Sequence, residues 1–283
     1  MKKILLTLLI TAIIPISVSE GQVMPLCSIA EEVSAPARNI DKELEDYVVG
    51  VVAGEMPVDF PYEAMKAQAV AARTYALRVK KGDPDIRYKD IDQAYITVDR
   101  MKKMWGSSFE ENYNKILSVV QATAGEILVY DNEPILAAFC STTNGYTEEC
   151  ENVWTHDLPY LSSVRSIGDE LSPYFSETKE ISRSELKALT GSEGLTVTKR
   201  TKAGYVSQVK AGNKTYSGNK IRSLLGLRST SFDITDKDNS VVITTKGYGH
   251  GLGMSQYGAC YMANRGSTYK EILAHYYKGA VIA

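Results

Sequence analysis

Residues 53–76 read AGEMPVDFPYEAMKAQAVAARTYA, and this stretch predicts two helices that meet at a break. Gly54 ends a helical pattern that starts near Asp41. Pro61 stands near the first position of the second helix, where its missing N–H costs nothing. The alanine-rich middle of the second helix suits close packing against another element. Glu55 is therefore expected at the break between two helices, one of which packs closely against the rest of the protein.

The remainder of the chain alternates helical periods with short strand patterns. Residues 126–143 predict two strands around a turn, and residues 195–216 predict hairpins broken by glycines. A further strand is expected at 240–245, and a last helix starts at Thr268 with the pattern of a capping box. These patterns predict an α+β fold in which helices pack with antiparallel β-hairpins.

The N-terminal segment has the pattern of an export signal. Lys2 and Lys3 precede an apolar run from Ile4 to Val18. This run is shorter than the roughly 20 residues of a spanning helix, and small residues near its end offer a cleavage site. Residues 1–19 therefore predict a signal peptide or a membrane anchor. Either would place the rest of the chain outside the cytoplasm, membrane-anchored or secreted.

The rest of the chain predicts a linker followed by a globular region. Residues 20–40 have no clear period and are expected to link the N-terminal segment to the domain. Residues 41–283 are expected to form one domain, or two closely packed subdomains. The formal net charge of −2 gives no general attraction to nucleic acid. Composition therefore argues against a nucleic-acid partner.

Glu55 is a candidate general acid because of its setting. Its neighbours Gly54, Met56 and Pro57 are uncharged. A carboxyl group among apolar neighbours has its charged form desolvated, so its pKa is expected to rise. The alternative is that Glu55 only caps the next helix or pairs with a basic side chain. Position alone favours this structural role.

Two cysteines and a histidine form a second constellation. Nine residues separate Cys140 from Cys150, and five separate Cys150 from His156. Two thiolates and an imidazole at this spacing are candidate ligands for a structural Zn²⁺. The alternatives are a Cys140–Cys150 disulfide, which an exported protein permits, and two unrelated free thiols.

Four motifs along the chain resemble those of the SpoIID family, typified by stage II sporulation protein D. The first combines GEMP at 54–57 with KAQAVAARTYA at 66–76. The others are FCSTTNGYTE at 139–148, SLLGLRSTSF at 223–232 and GYGHGLGMSQYGA at 247–259. The resemblance covers 41–283, which it implies is a catalytic domain with a substrate groove.

The resemblance implies a lytic transglycosylase that cleaves the β-1,4 bond between N-acetylmuramic acid and N-acetylglucosamine in peptidoglycan. Glu55 occupies the position of the glutamate in the family's GEMP motif, which implies that it is the catalytic residue. One carboxyl group is sufficient for this reaction, because the sugar's own C6 hydroxyl attacks and gives a 1,6-anhydro product. Hydrolysing glycosidases generally need two carboxylates, and the four motifs offer no evident second one.

If the chain binds glycan, side chains in three of these motifs are expected to line the sugar groove. They are Gln68, Arg73 and Tyr75 on the second helix, Ser141, Thr142, Asn144 and Gly145 in the second motif, and His250, Ser255 and Gln256 in the glycine-rich motif. Structural alternatives remain open for three of them. Arg73 would then pair with a carboxylate, Gln68 would be a buried amide, and His250 would hydrogen-bond within the fold or complete the zinc site.

The family setting bears on the partners, the metal and a rival function. The resemblance implies action on glycan strands already denuded of stem peptides, in sporulation, beside an amidase of an engulfment complex. Relatives often have histidine at the position of Cys140, which favours zinc over a disulfide at Cys140 and Cys150. The wider family includes amidase enhancers, so the alternative is a non-catalytic glycan-binding activator of a cell-wall amidase.

Overall fold

The computed structural model describes residues 41–154 and 157–283. The predicted signal or anchor at 1–19 and the predicted linker at 20–40 lie outside the described residues. Within the described part, no helix is long and apolar enough to cross a membrane.

The described chain mixes helices with short strands, which confirms the α+β class. The α-helices are α1 Lys42–Glu55, α2 Tyr62–Gly82, α3 Val98–Trp105, α4 Phe109–Gln121, α5 Arg183–Thr190, α6 Gly218–Leu225, α7 Gln256–Asn264 and α8 Tyr269–Tyr276. The strands are β1 Leu128–Tyr130, β2 Glu133–Pro134, β3 Phe139–Cys140, β4 Ser176–Ser182, β5 Thr196–Arg200, β6 Val206–Ala211, β7 Lys214–Ser217, β8 Phe232–Asp236, β9 Ser240–Lys246, β10 Met254–Ser255 and β11 Val281–Ile282.

The helix boundaries follow from local chemistry. Helix α1 begins where the sequence predicts, and the Asp41 side chain caps it by accepting hydrogen bonds from the backbone N–H groups of Glu43 and Leu44. Pro61 directly precedes the first residue of α2. The predicted capping box of Thr268 and Glu271 is present at the start of α8.

Most of the described strand pairs are antiparallel. The sheets have the orders β11-β1-β2, β4-β9-β8 and β5-β6-β7, and every pair in them is antiparallel. The exception is β3–β10, which is parallel and places Met254 beside Phe139 and Ser255 beside Cys140. This pair joins the second sequence motif to the glycine-rich motif, which are far apart along the chain.

Two separate hydrophobic cores stabilise the described chain. The first core contains buried residues between positions 44 and 161 and again between 252 and 277, mostly from α1, α2, α4 and α8. The second core contains buried residues between positions 181 and 243, from the sheets β4-β9-β8 and β5-β6-β7 with α5 and α6. The second core is thus built by a segment that lies between two parts of the first.

Candidate active site

Glu55 is the last residue of α1, and its carboxyl group is held by a segment that crosses the helix. Its Oε1 accepts a hydrogen bond of 2.6 Å from the backbone N–H of Ala94. A Cβ at Gly54 would lie 2.4 Å from the Ala94 carbonyl oxygen, and one at Gly50 would lie 2.2 Å from the Tyr95 ring. Both glycines therefore allow residues 94–95 to approach α1 and to position the carboxyl group.

The environment of Glu55 favours its protonated form. Burial raises the pKa of Glu55, and the negative charge of Asp92 raises it further. The hydrogen bonds from the Ala94 N–H and the Gln256 side chain act in the opposite direction, but the net shift of the pKa is upward. This confirms the direction of the pKa shift predicted from the apolar neighbours.

Glu55 lines two cavities at once. The larger has a volume of about 560 Å³ and the smaller about 290 Å³. The larger is lined by Ala53, Gly54, Glu55, Met56, Pro57, Val58, Met104, Trp105, Ser141, Tyr174, Tyr248, Gln256 and Tyr257. The smaller is lined by Glu55, Tyr75, Asp92, Gln93, Ala138, Phe139, Cys140, Trp154 and His250. We call them the large and the small Glu55 cavity.

Several residues expected at the site meet around Glu55. Ser141 and Gln256 line the large Glu55 cavity, and Tyr75, Cys140 and His250 line the small one. The parallel pair β3–β10 explains part of this arrangement, because it places the second motif next to the glycine-rich motif.

Arg73 and Gln68 do not line these cavities. Arg73 is fully buried, and its Nε and Nη2 each donate a 2.7 Å hydrogen bond to the Glu45 carboxylate. Gln68 is also fully buried, and its Oε1 accepts a hydrogen bond of 3.4 Å from Gln256 Nε2. Arg73 thus takes the structural role left open above, whereas Gln68 is one step removed from Glu55 through Gln256.

The residues around the turn of the second motif are engaged within the fold. The buried Thr142 hydroxyl donates to Ser172 Oγ at 3.0 Å. Asn144 Nδ2 donates to the Ala203 carbonyl at 2.9 Å and to Ser231 Oγ at 3.0 Å. Neither residue lines either Glu55 cavity, and neither does the neighbouring Gly145.

Ser255 has a structural role that depends on Asp169, a residue that the sequence did not indicate. Ser255 caps α7, is fully buried and hydrogen-bonds to the Asp169 carboxylate. Asp169 is itself fully buried and also accepts hydrogen bonds from the backbone N–H and hydroxyl of Thr143. Asp169 therefore ties β10 to the second motif from a segment that contains none of the four motifs.

His250 faces the small Glu55 cavity as a neutral imidazole. Burial lowers its pKa to about 4, and the positive charge of Arg222 contributes in the same direction. Its Nδ1 accepts a hydrogen bond of 3.0 Å from the Leu252 N–H. The ring centroid lies 5.9 Å from that of Trp154.

Cys140 and Cys150 are both buried free thiols. Burial raises the pKa of Cys140 to about 12 and also raises the pKa of Cys150, so both thiols are protonated when no metal is bound. His156, the third predicted zinc ligand, lies outside the described residues. Within the described part, no group of three or more His, Cys, Asp or Glu side chains is placed to hold a metal ion.

Asp92 and most of the aromatic lining of the cavities were not predicted from the sequence. Asp92 lies in the connection between α2 and α3 and lines the small Glu55 cavity. Trp154 lines the same cavity, while Tyr174 and Tyr248 line the large one and are each 44% exposed. The two tyrosines stand out because they are exposed beside a cavity. Only the folded structure shows this, so the sequence alone could not identify them.

We expect the substitution Asp92→Asn to lower the pKa of Glu55. Removing the nearby negative charge makes ionisation of Glu55 easier, so its titration moves toward lower pH. An NMR titration that follows the Glu55 side-chain carboxyl carbon would measure this. Asp90→Asn is the matched control, because Asp90 pairs with Arg87. An unchanged Glu55 pKa in Asp92→Asn would contradict this account of the site.

The fold and the Glu55 cavities define an α+β protein whose candidate site is centred on the Glu55 carboxyl group. Residues 39–130 match the family model described as "SpoIID: Stage II sporulation protein". Stage II sporulation protein D of Bacillus amyloliquefaciens is 43% identical over 254 residues, covering 85% of this chain and 74% of the relative. The chain therefore belongs to the stage II sporulation protein D family, a family of sporulation proteins.

Two further relatives are informative. Stage II sporulation protein D of Bacillus subtilis (strain 168) is 41% identical over 254 residues, covering 85% of this chain and 74% of the relative. A protein named amidase enhancer, from the same strain, is 28% identical over 293 residues, covering 82% of this chain and 40% of the relative.

Proposed function

We propose that this protein is a peptidoglycan lytic transglycosylase that acts in sporulation. It cleaves the β-1,4 bond between N-acetylmuramic acid and N-acetylglucosamine in denuded glycan strands and leaves 1,6-anhydro ends. One observation carries the proposal. Glu55 lies where two cavities adjoin, and burial raises the pKa of its carboxyl group. A carboxyl group with a raised pKa that lies between two cavities is suited to donate a proton to a bond that joins two sugars.

Glu55 acts first as acid and then as base. The protonated carboxyl donates its proton to the glycosidic oxygen, and the bond from this oxygen to C1 breaks. The resulting carboxylate then accepts the proton of the C6 hydroxyl as the C6 oxygen bonds to C1. Glu55 ends the cycle protonated, and no water is consumed. The Ala94 N–H holds Oε1 throughout, which restricts the orientation of the carboxyl group.

The glycan strand would bind along a groove formed by the adjoining cavities. The large Glu55 cavity has aromatic walls from Trp105, Tyr174, Tyr248 and Tyr257. Aromatic faces with a few polar groups between them are typical of ligand sites of this size. The polar groups here are Ser141 and Gln256, which would hydrogen-bond to sugar hydroxyl or N-acetyl groups.

Mass spectrometry of denuded glycan strands incubated with the purified protein tests this proposal. Accumulation of 1,6-anhydro ends is the expected result, and their absence would remove the enzymatic claim. The neighbouring carboxylate of Asp92 makes this measurement important. Hydrolysing glycosidases use two carboxylates, so the products must be examined for hydrolysis as well. Hydrolysis would yield products heavier by one water molecule.

A second candidate function is a non-catalytic glycan-binding activator of a cell-wall amidase. The similarity to the protein named amidase enhancer favours it. An amidase is also the partner proposed for the enzyme, since it would supply the denuded strands. A cell-wall amidase assayed with and without Glu55→Gln separates the two functions. Activation that survives this substitution, with no anhydro ends formed by the wild-type protein, favours the activator.

We also propose a structural Zn²⁺ held by Cys140, Cys150 and His156, which would fix the second motif and take no part in the reaction. Two buried thiols that are not joined in a disulfide support this. Metal analysis of protein purified without chelator should find about one zinc ion per chain, and Cys140→Ser should remove it. Cys260→Ser is the matched control. Metal-free protein with full stability would refute the site.

The proposed substrate requires a place outside the cytoplasm. The lysines and the apolar run within residues 1–19 favour export by a signal peptide or a membrane anchor. Fractionation of the cells that make the protein, followed by N-terminal sequencing, would distinguish a secreted chain from an anchored one.

A further inference from the structure

A third cavity adjoins the small Glu55 cavity. It has a volume of about 620 Å³ and is lined by Tyr75, Arg78, Asp92, Leu136, Val153, Trp154, Leu158 and Tyr160. Three of these residues, Tyr75, Asp92 and Trp154, also line the small Glu55 cavity. We call this third space the outer cavity. A glycan strand that passes Glu55 through the small cavity would continue into it.

Arg78 is the positively charged side chain of the outer cavity. It is half-buried and makes no hydrogen bond or ion pair within the described part of the chain. The hydrogen bond and charge of Lys81 lower the pKa of Glu133, and the nearby charge of Arg78 acts in the same direction without a direct ion pair. A half-buried guanidinium without a partner can donate two parallel hydrogen bonds to a carboxylate ligand.

The charges of the outer cavity are separated along its length. Asp92 also lines the small Glu55 cavity, so it lies at the end of the outer cavity that is nearer to Glu55. Arg78 lines only the outer cavity. The two side chains do not form an ion pair. An anionic ligand group is therefore favoured beside Arg78 and disfavoured beside Asp92, which directs the negative charge of a bound sugar away from Glu55.

The remaining walls suit the uncharged body of a sugar. Tyr75, Trp154 and Tyr160 contribute aromatic surface, and Leu136 and Leu158 contribute aliphatic surface. The cavity therefore combines apolar walls with one cation, which fits a sugar ring that carries a single carboxylate.

We propose that Arg78 binds the free lactyl carboxylate of an N-acetylmuramic acid residue and thereby selects strands whose stem peptides have been removed. This inference rests on the proposed function, since it names the group that the same site recognises. In an intact strand the lactyl carbonyl is joined to the peptide through an amide bond. That amide has no charge for Arg78 to pair with, and the attached peptide adds bulk at the cavity.

Three matched glycan substrates test this inference. The first carries free lactyl carboxylates, the second carries the same groups as neutral methylamides, and the third retains its stem peptides. The wild-type protein should cleave the first with a kcat/KM roughly 10- to 100-fold above the second, the range expected for a charged hydrogen bond. Arg78→Gln should abolish the ratio, and Arg78→Lys should retain part of it. The exposed Arg165→Gln is the control and should keep it.

Other outcomes overturn the inference. A wild-type ratio near one, a preference for peptide-bearing strands, or an unchanged ratio in Arg78→Gln would each do so. Equal losses by Arg78→Gln on the first two substrates would also count against it, because they would point to a structural effect.

A binding measurement separates this inference from the proposed function. Glu55→Gln, with and without Arg78→Gln, is titrated with the carboxylate and methylamide strands. If the wild-type protein forms no anhydro ends but Glu55→Gln prefers the carboxylate strand through Arg78, the inference stands and the enzymatic proposal falls. If cleavage occurs but neither binding nor cleavage depends on the carboxylate, the inference falls and the enzymatic proposal stands.

Discussion

Glu55→Gln is expected to lower the rate of anhydro-end formation by about 100- to 10,000-fold, the range typical of losing a general acid or base. The amide cannot donate a proton as a carboxylic acid does, and it cannot become the base for the C6 hydroxyl. Its oxygen can still accept the Ala94 N–H, so the segment that crosses α1 stays in place. The measurement is the initial rate on denuded strands, followed by mass spectrometry.

Folding must be unchanged for this result to be informative. Glu55→Gln should unfold at the wild-type temperature or slightly above it, because the desolvated carboxyl group has been removed. Glu110→Gln, on the exposed first turn of α4, is the matched control and should keep full activity. Full activity in Glu55→Gln would refute the mechanism and leave the family membership intact.

Arg73→Met is expected to destabilise the protein by about 3–5 kcal/mol, the cost of leaving one partner of a buried ion pair unpaired. The Arg73 side chain is 1% exposed and that of Glu45 is 15% exposed. Arg73 also donates to the carbonyl of Glu126 at 3.1 Å. It thus joins α1, α2 and the approach to β1. Denaturant unfolding followed by circular dichroism would measure the loss.

Two controls separate pairing from other effects. Arg73→Met combined with Glu45→Met should recover most of the loss, because replacing both charges removes the unpaired carboxylate. Arg87→Met breaks an exposed pair with Asp90 and should cost less than about 1 kcal/mol. If Arg73→Met kept its stability but lost binding to glycan strands, Arg73 would contact substrate and its structural role would be wrong.

Local patterns predicted the elements around Glu55 well. The start of α1 near Asp41, the helix break at Glu55 and the capping box at Thr268 depend on residues close together in the chain. The antiparallel hairpins were predicted for a similar reason, since short turns impose that direction. Family resemblance was needed to choose Glu55 as a site residue, because its local chemistry also fits a structural role.

Long-range contacts account for what the sequence did not predict. Nothing near Arg73 in the chain shows that Glu45 faces it across two helices. Asp92 lies in a connection without any period, and only the close packing of that segment on Gly54 brings it to Glu55. The parallel pair β3–β10 joins segments more than 100 residues apart, and strand patterns carry no information about such partners.

The location of the second core affects the order in which the protein can fold. The chain enters this region through β4 and leaves it through β9, which pair along their whole length from Ser176 with Lys246 to Ser182 with Ser240. Just outside this pair, the Gly247 N–H donates to the Phe175 carbonyl at 2.7 Å. The two points where the first core is interrupted are therefore adjacent in space.

This adjacency reduces the entropic cost of closing the chain. If the second core forms first, residues 176–246 no longer act as a flexible loop between the two parts of the first core. The chain segments that form β3 and β10 are then held near each other before they pair. Pairing of β4 with β9 would thus act as a tether that brings together the segments around Glu55.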